Sequence, residues 1–254
     1  MGLLAVLYGL ISYVTFLGSF LYAIGFVGGF GVPKSIDSGA LMPWRTALLI
    51  DLALLAAFAI QHSVMARPGF KAAWTRVVPR AVERSTYVLV SSLLLVLLFW
   101  QWRALPAAVW TATAPMARAA LLALFGLGWL IVLLSTFMIN HFDLFGLRQV
   151  FLRLRGREYS PLSFRQRAFY RFVRHPIMLG FLIAFWSTPR MSLGHLLFAL
   201  ATSGYILIGV TLEERDLLAA HGADYAEYRA RVPKLLPLGH GRARELPEVH
   251  SAPK

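Results

Sequence analysis

The sequence contains no cysteine. That absence excludes disulfides, thiolate metal centres and a cysteine nucleophile. Charge is also scarce: charged residues make up 15% of the chain, and only 12 Asp and Glu stand against 25 Lys and Arg. With 58% hydrophobic residues and a mean hydropathy of +0.63, the 254 residues carry too little polar surface to cover a soluble domain. The chain therefore reads as an integral membrane protein. Its first apolar stretch has no basic n-region and runs past signal-peptide length into Gly31, so it is expected to be a retained span. The glycines there (Gly18, Gly25, Gly28, Gly29, Gly31) are followed by no P-loop Lys and preceded by no strand, which favours helix packing over a phosphate loop. No long repeat is present.

The formal charge of +13 and a pI near 10.7 raise the question of nucleic acid, and the placement of the basic residues answers it. Twenty of the 25 fall in three blocks, at 66–84, at 141–175 and from 213 onward, and only Lys34, Arg45, Arg103, Arg118 and Arg190 lie between them. This is the asymmetry of the positive-inside rule. It places those blocks and both termini in the cytoplasm, with anionic membrane lipid rather than nucleic acid as the partner, and the cytoplasmic (inner) membrane as the location.

Apolar segments are predicted at 3–30, 46–65, 86–102, 118–140, 177–188 and 192–212, giving an all-α, polytopic transmembrane bundle of five to six segments. Between them, 66–84 reads as a cytoplasmic loop with short amphipathic pieces. The basic, aromatic stretch from Asn140 to Arg174 has the composition of an interfacial amphipathic helix. The last two segments form an uneven hairpin turned at Thr188-Pro189-Arg190. Its first arm covers only about 18 Å and its second about 32 Å at 1.5 Å per residue, so the first is re-entrant-like. Helical periodicity continues through Leu217 and Tyr228 as a cytoplasmic helix. Residues 1–238 are expected to form one membrane domain and 239–254 a disordered tail.

This topology gathers His62, Asn140, His141, Asp143, Arg174, His175, Glu213 and Glu214 at one depth. Ionisable groups at the ends of membrane helices are costly to desolvate and tend to be functional where they converge. Arg174 offers a planar fork for a carboxylate, while Glu213 or Glu214, about 100° apart on a helix, accepts from an amine or ribose hydroxyls. Backbone amides near Leu179 and Gly180 at the start of the short arm add donors, and Gly180 lets a ligand approach.

Arg174-His175-Pro176-Ile177-Met178-Leu179-Gly180, Trp186, Glu213-Glu214-Arg215-Asp216-Leu217, and His221-Gly222-Ala223-Asp224-Tyr225-Ala226-Glu227-Tyr228 with Val232-Pro233 together resemble a C-terminal signature. It is the S-adenosylmethionine-binding signature of the isoprenylcysteine carboxyl methyltransferase and phospholipid methyltransferase superfamily. Upstream, Gln61-His62-Ser63-Val64-Met65, Glu83-Arg84-Ser85-Thr86-Tyr87 and Asn140-His141-Phe142-Asp143-Leu144-Phe145-Gly146 are similar to the narrower methanethiol S-methyltransferase group. The resemblance spans about 58–238. It implies S-adenosyl-L-methionine held between the short arm, the exit of the second arm and the C-terminal helix. Arg174, His175, Leu179, Gly180, Glu213, Glu214 and Tyr228 are the implied contacts. Met178 stands where the superfamily often has Tyr, a departure that weakens a prenyl-protein substrate.

The activity so implied is methylation of a small thiol, methanethiol to dimethyl sulfide. The thiolate is the nucleophile, so a base is required. His141, oriented by Asp143, is the expected base if the helix ends near Asn140, with His62 and Asn140 as substrate-side groups and no metal. Two alternatives stand beside it. One is a methyltransferase acting on a lipid, an isoprenylcysteine carboxylate or an amine. The other is a haem-binding or regulatory membrane protein using His62 with His141 or His175 as axial ligands.

Overall fold

A computed structural model describes residues 2–160 and 168–237. The expected tail at 239–254, and the part of the interfacial segment at 161–167, lie outside these described residues. Twelve elements follow in order: α1 (Gly2–Gly28), α2 (Trp44–Ala66), α3 (Pro68–Trp74), α4 (Arg80–Gln101), β1 (Ala108–Thr111), α5 (Pro115–Ile139), α6 (His141–Leu144), α7 (Leu147–Leu154), a 3-10 turn (Ala168–Arg171), α8 (Pro176–Trp186), β2 (Arg190–Ser192) and α9 (Leu193–Arg231). Five of the helices, α1, α2, α4, α5 and α9, are long and apolar enough to cross a membrane, and α8 is a shorter apolar helix. The molecule is a polytopic helix bundle. Leu4, Leu7, Ile11 and Val14 line an exposed apolar stripe on α1, as lipid-facing side chains do.

The two faces are distinct. On one, Gly2 abuts Leu154 of α7, Arg67 after α2 reaches Asp216 of α9 at 2.9 Å, and Arg84 Nε donates to the Leu144 carbonyl at 2.8 Å. Lys234 lies 3.5 Å from Glu214, two residues before Asp216, so this terminal face carries both ends of the described chain. On the opposite face the indole of Trp102 donates to the Ile36 carbonyl at 3.0 Å, and the Asp51 carboxylate of α2 accepts from the Arg103 amide at 2.8 Å.

The short hairpin packs closely. α5 and α8 cross at Gly128 and Gly180, where a β-carbon on Gly128 would stand 2.7 Å from the Gly180 carbonyl oxygen and 2.6 Å from the Ala184 nitrogen. Helices without side chains at the crossing gain backbone contact, which suits an arm too short to span lipid alone. Aromatic side chains fill the core around this crossing: Trp129 meets Phe181 edge-on at 5.7 Å and Phe20 at 5.3 Å.

Three features depart from the sequence expectation. α4 begins at Arg80, six residues before the apolar run, because its first turns present Arg80, Glu83 and Arg84 on the terminal face while Ser85 packs inward. β1 and β2 pair antiparallel on the opposite face, Thr111 against Arg190, where loops were expected. The helix leaving the membrane does not run straight: Gly222 has φ 51° and ψ −123°, a conformation only glycine adopts without strain, and it breaks α9. Tyr225, Tyr228 and Val232 then turn inward as a small buried cluster with Leu217.

Candidate functional site

The kink at Gly222 brings the last turn of α9 and the residues after it back onto the entrance of α8. The Arg174 amide donates to the Pro233 carbonyl at 2.9 Å and the His175 amide to Lys234 at 3.2 Å, so two extended stretches strap together. Between them lies an ion pair. Arg174 Nε and Nη2 both reach Glu214 Oε1 at 2.7 Å, and Nη1 donates to the carbonyls of Arg229, at 2.9 Å, and Val232. Arg174 and Glu214 are 9% and 3% exposed, so the guanidinium is spent on the protein rather than left open as a carboxylate fork. Glu214 is the inward carboxylate and the Glu213 side chain is half-exposed.

His175 sits between the two. Its Nε2 donates to Glu214 Oε1 at 3.2 Å, and its Nδ1 lies 3.6 Å from Glu213 Oε2. Burial lowers its pKa, against the opposing pull of both carboxylates. Lys234 Nζ at 3.5 Å and Arg229 Nε at 3.9 Å flank the second oxygen of Glu214. Three fixed cations thus surround one buried carboxylate. Neither Arg229 nor Lys234 was singled out from the sequence; their signal was their position just past Tyr228, on a segment the kink folds back.

Three expected ligand contacts have other roles. The face of Gly180 is filled by Gly128 and Val132 of α5, so no ligand approaches there. The Leu179 amide donates to the His175 carbonyl at 3.1 Å, which leaves the first-turn amides of Ile177 and Met178 ahead of it. Tyr228 is buried, and its hydroxyl donates to the Tyr170 carbonyl at 2.6 Å, holding the approach to Arg174.

His141 lies at the terminal end of α5. Val132 packs on Gly180, and one turn onward Thr136 stands at the level of the α8 entrance. Thr136 Oγ1 contacts His141 Nδ1 at 2.8 Å, and the Tyr13 hydroxyl of α1 contacts Nε2 at 2.8 Å. The ring is 5% exposed, stacked on Phe137 at 4.3 Å and met by Phe145 at 4.8 Å, and burial lowers its pKa.

Asp143 is not its partner. A new helical turn, α6, begins at His141, so residues two apart diverge. The Asp143 carboxylate accepts instead from Arg148 at 3.0 Å and Tyr159 at 3.2 Å. Asn140 is a helix cap, its Oδ1 accepting from the Asp143 amide at 3.1 Å. His62 lies between α2 and α4, 2.8 Å from the Tyr87 hydroxyl, 3.3 Å from Ser91 and stacked on Phe58 at 5.2 Å. His62 and His141, two of the imidazoles proposed as haem ligands, are therefore hydrogen-bonded on both ring nitrogens by the protein, and His175 on Nε2. Sequence reasoning missed Tyr13 and Thr136 and gave Tyr87 no role of its own; the polar positions Tyr8, Ser12 and Tyr13 along a mostly apolar run were the available signal.

A cavity of about 220 Å³ on the opposite face, lined in part by Asp37, Arg118, Arg190 and His195, is separate from these groups. His195, given no role from the sequence, has its Nε2 on the Phe185 carbonyl at 2.8 Å.

Five helices long and apolar enough to cross a membrane, with the shorter α8 and a polar strap at one face, define an integral membrane protein with a buried ionisable cluster at a helix entrance. The chain belongs to the NnrU family, whose model, described as NnrU protein, matches residues 50–219. It is 56% identical over 237 residues, 93% of this chain and 97% of the relative, to a protein of Mycobacterium tuberculosis named methanethiol S-methyltransferase. It is 57% identical over 238 residues, 94% and 92% of the two chains, to methanethiol S-methyltransferase 2 of Bradyrhizobium diazoefficiens. Nurim of Rattus norvegicus is 33% identical over 205 residues, 74% of this chain and 78% of the relative. No solved structure matches the chain.

Proposed function

We propose that this protein transfers a methyl group from S-adenosyl-L-methionine to methanethiol, releasing dimethyl sulfide, at the cytoplasmic face of the inner membrane. The observation that carries the acceptor is identity above half over nearly the whole chain to relatives named for that reaction. The cytoplasmic orientation is supported by the positive-inside rule, since Arg67, Arg84, Arg148, Arg174 and Arg229 belong to the terminal face.

The strap fits a zwitterionic donor. Arg174, Arg229 and Lys234 exceed the charge of Glu214, so the cluster holds spare positive charge for a carboxylate, and Arg229 and Lys234 are the exposed members able to meet it. Glu213, half-exposed across His175, accepts from an ammonium or a ribose hydroxyl. Arg174, Glu214 and His175 frame this cradle. When bound, the donor supplies a sulfonium methyl that is already electrophilic. The chain then has to orient the thiol, exclude water and take one proton. Phe137, Phe142 and Phe145 around His141 exclude water, and the neutral imidazole accepts the proton.

The test is purified protein in lipid nanodiscs with radiolabelled S-adenosylmethionine, offered methanethiol, a phospholipid, an isoprenylcysteine or a small amine. Label in a volatile thioether with methanethiol alone is the expected result. Label in lipid, carboxyl ester or amine, with none in the headspace, replaces the thiol reading by the corresponding acceptor.

A further inference from the structure

A base buried at 5% exposure with both nitrogens engaged cannot meet a substrate directly, so some other group must pass it the proton. The Thr136 hydroxyl has one hydrogen, and its Oγ1 lies 2.7 Å from the Leu133 carbonyl of its own helix, an oxygen that can only accept. With its hydrogen committed there, Thr136 Oγ1 accepts from His141, which makes Nδ1 the protonated nitrogen. Nε2 then carries the lone pair, and the Tyr13 hydroxyl 2.8 Å away must donate to it.

Tyr13 is only half-buried, whereas the imidazole behind it is enclosed by Phe137 and Phe145. From this geometry, and resting on the thiol reading above, we infer that Tyr13 is a catalytic residue that relays the substrate proton to His141. The thiol S–H bond breaks as its proton passes to Tyr13 Oη, while the Tyr13 proton passes to His141 Nε2. The tyrosine ends neutral, the imidazole ends as imidazolium held by Thr136, and the sulfur keeps the electron pair as thiolate. That pair forms the new S–CH3 bond as the donor's sulfonium C–S bond breaks, leaving a neutral thioether on the donor side. The site resets by the reverse relay, His141 Nε2 returning its proton to Tyr13 Oη as the Tyr13 proton passes to water.

Two measurements test the relay. The first is independent of turnover: histidine ¹⁵N NMR on donor-free protein, with His141 assigned by its loss in His141→Gln, is expected to show Nδ1 protonated and Nε2 bare. An Nε2–H tautomer overturns the relay. The second compares methanethiol with trifluoroethanethiol, whose lower pKa supplies thiolate without a base. Tyr13→Phe is expected to lower turnover of methanethiol about 10²- to 10⁴-fold, the range of general acid–base catalysis, while sparing the acidic thiol to within about tenfold. Thr136→Val, which removes the Nδ1 acceptor and frees the opposite tautomer, is expected to give the same selective loss and serves if Tyr13→Phe does not fold. Equal losses with both thiols, or no loss with either, overturn the relay while the thiol reading stands. Wild-type protein that methylates neither thiol overturns the thiol reading, and the relay with it.

Discussion

Glu214 Oε1 accepts from both Nε and Nη2 of Arg174 at 2.7 Å, joining residues 40 apart in sequence at the entrance of α8. Both partners are almost fully buried, and removing one partner of such a pair strands the other's charge. Arg174→Ala is expected to destabilise the protein by about 3–5 kcal/mol, with Arg174→Met plus Glu214→Leu costing less than either single change. Thermal unfolding in detergent measures this; an unchanged midpoint for Arg174→Ala contradicts the strap.

Glu213 is expected to act on the donor and not on the fold. Its side chain is half-exposed and lies 3.6 Å from the outer nitrogen of His175. A hydrogen bond from a charged group is worth about 1.5–3 kcal/mol, so Glu213→Gln is expected to weaken S-adenosylmethionine binding roughly ten- to hundredfold at wild-type thermal stability. Isothermal calorimetry reads the affinity. Undiminished affinity removes Glu213 from the cradle.

The convergence of Arg174, His175 and Glu214 was legible in the sequence because membrane topology alone puts both ends of the last hairpin at one depth. Their enclosure by Arg229, Val232, Pro233 and Lys234 was not, since it depends on Gly222 turning the chain back, and a lone glycine in a helical run does not announce a left-handed kink. The span centres were legible from hydropathy. The start of α4 and the β1–β2 ribbon were not, because polar first turns and a four-residue strand carry no apolar period. Asp143 was misassigned through one helical turn: α5 does stop before Asn140, but a new turn starts at His141 and points the carboxylate away from the imidazole.

The α5–α8 crossing gives a third prediction. A methyl on Gly128 or Gly180 meets backbone atoms at 2.6 to 2.7 Å, which cannot yield as a flexible side chain does. Gly128→Ala and Gly180→Ala are each expected to cost about 1–3 kcal/mol and to lower activity by moving α8. Gly18→Ala, where nothing lies within 4 Å, is the control and is expected to leave the unfolding midpoint unchanged or raised. Midpoints for Gly128→Ala and Gly180→Ala matching the control contradict the close crossing.

The pH dependence has a definite sign. Burial favours the neutral His141 ring, so its folded pKa lies below the unperturbed value of about 6.5. A base works in the neutral form, so the acid limb of kcat/KM is expected below that pH, with no His141 loss between pH 6.5 and 7.5. The same shift means that stability is fully present above the unfolded pKa and falls as pH drops below it. Rate profiles and unfolding midpoints against pH, for wild type and His141→Gln, check the two in turn; an acid limb above pH 7 contradicts the assignment.

The most direct measurement is headspace mass spectrometry of purified protein given methanethiol and S-adenosylmethionine deuterated in its sulfonium methyl. Dimethyl sulfide carrying one fully deuterated methyl is expected, formed in proportion to protein and absent without it. Unlabelled dimethyl sulfide, or none while the donor binds, contradicts methyl transfer from the sulfonium to the thiol.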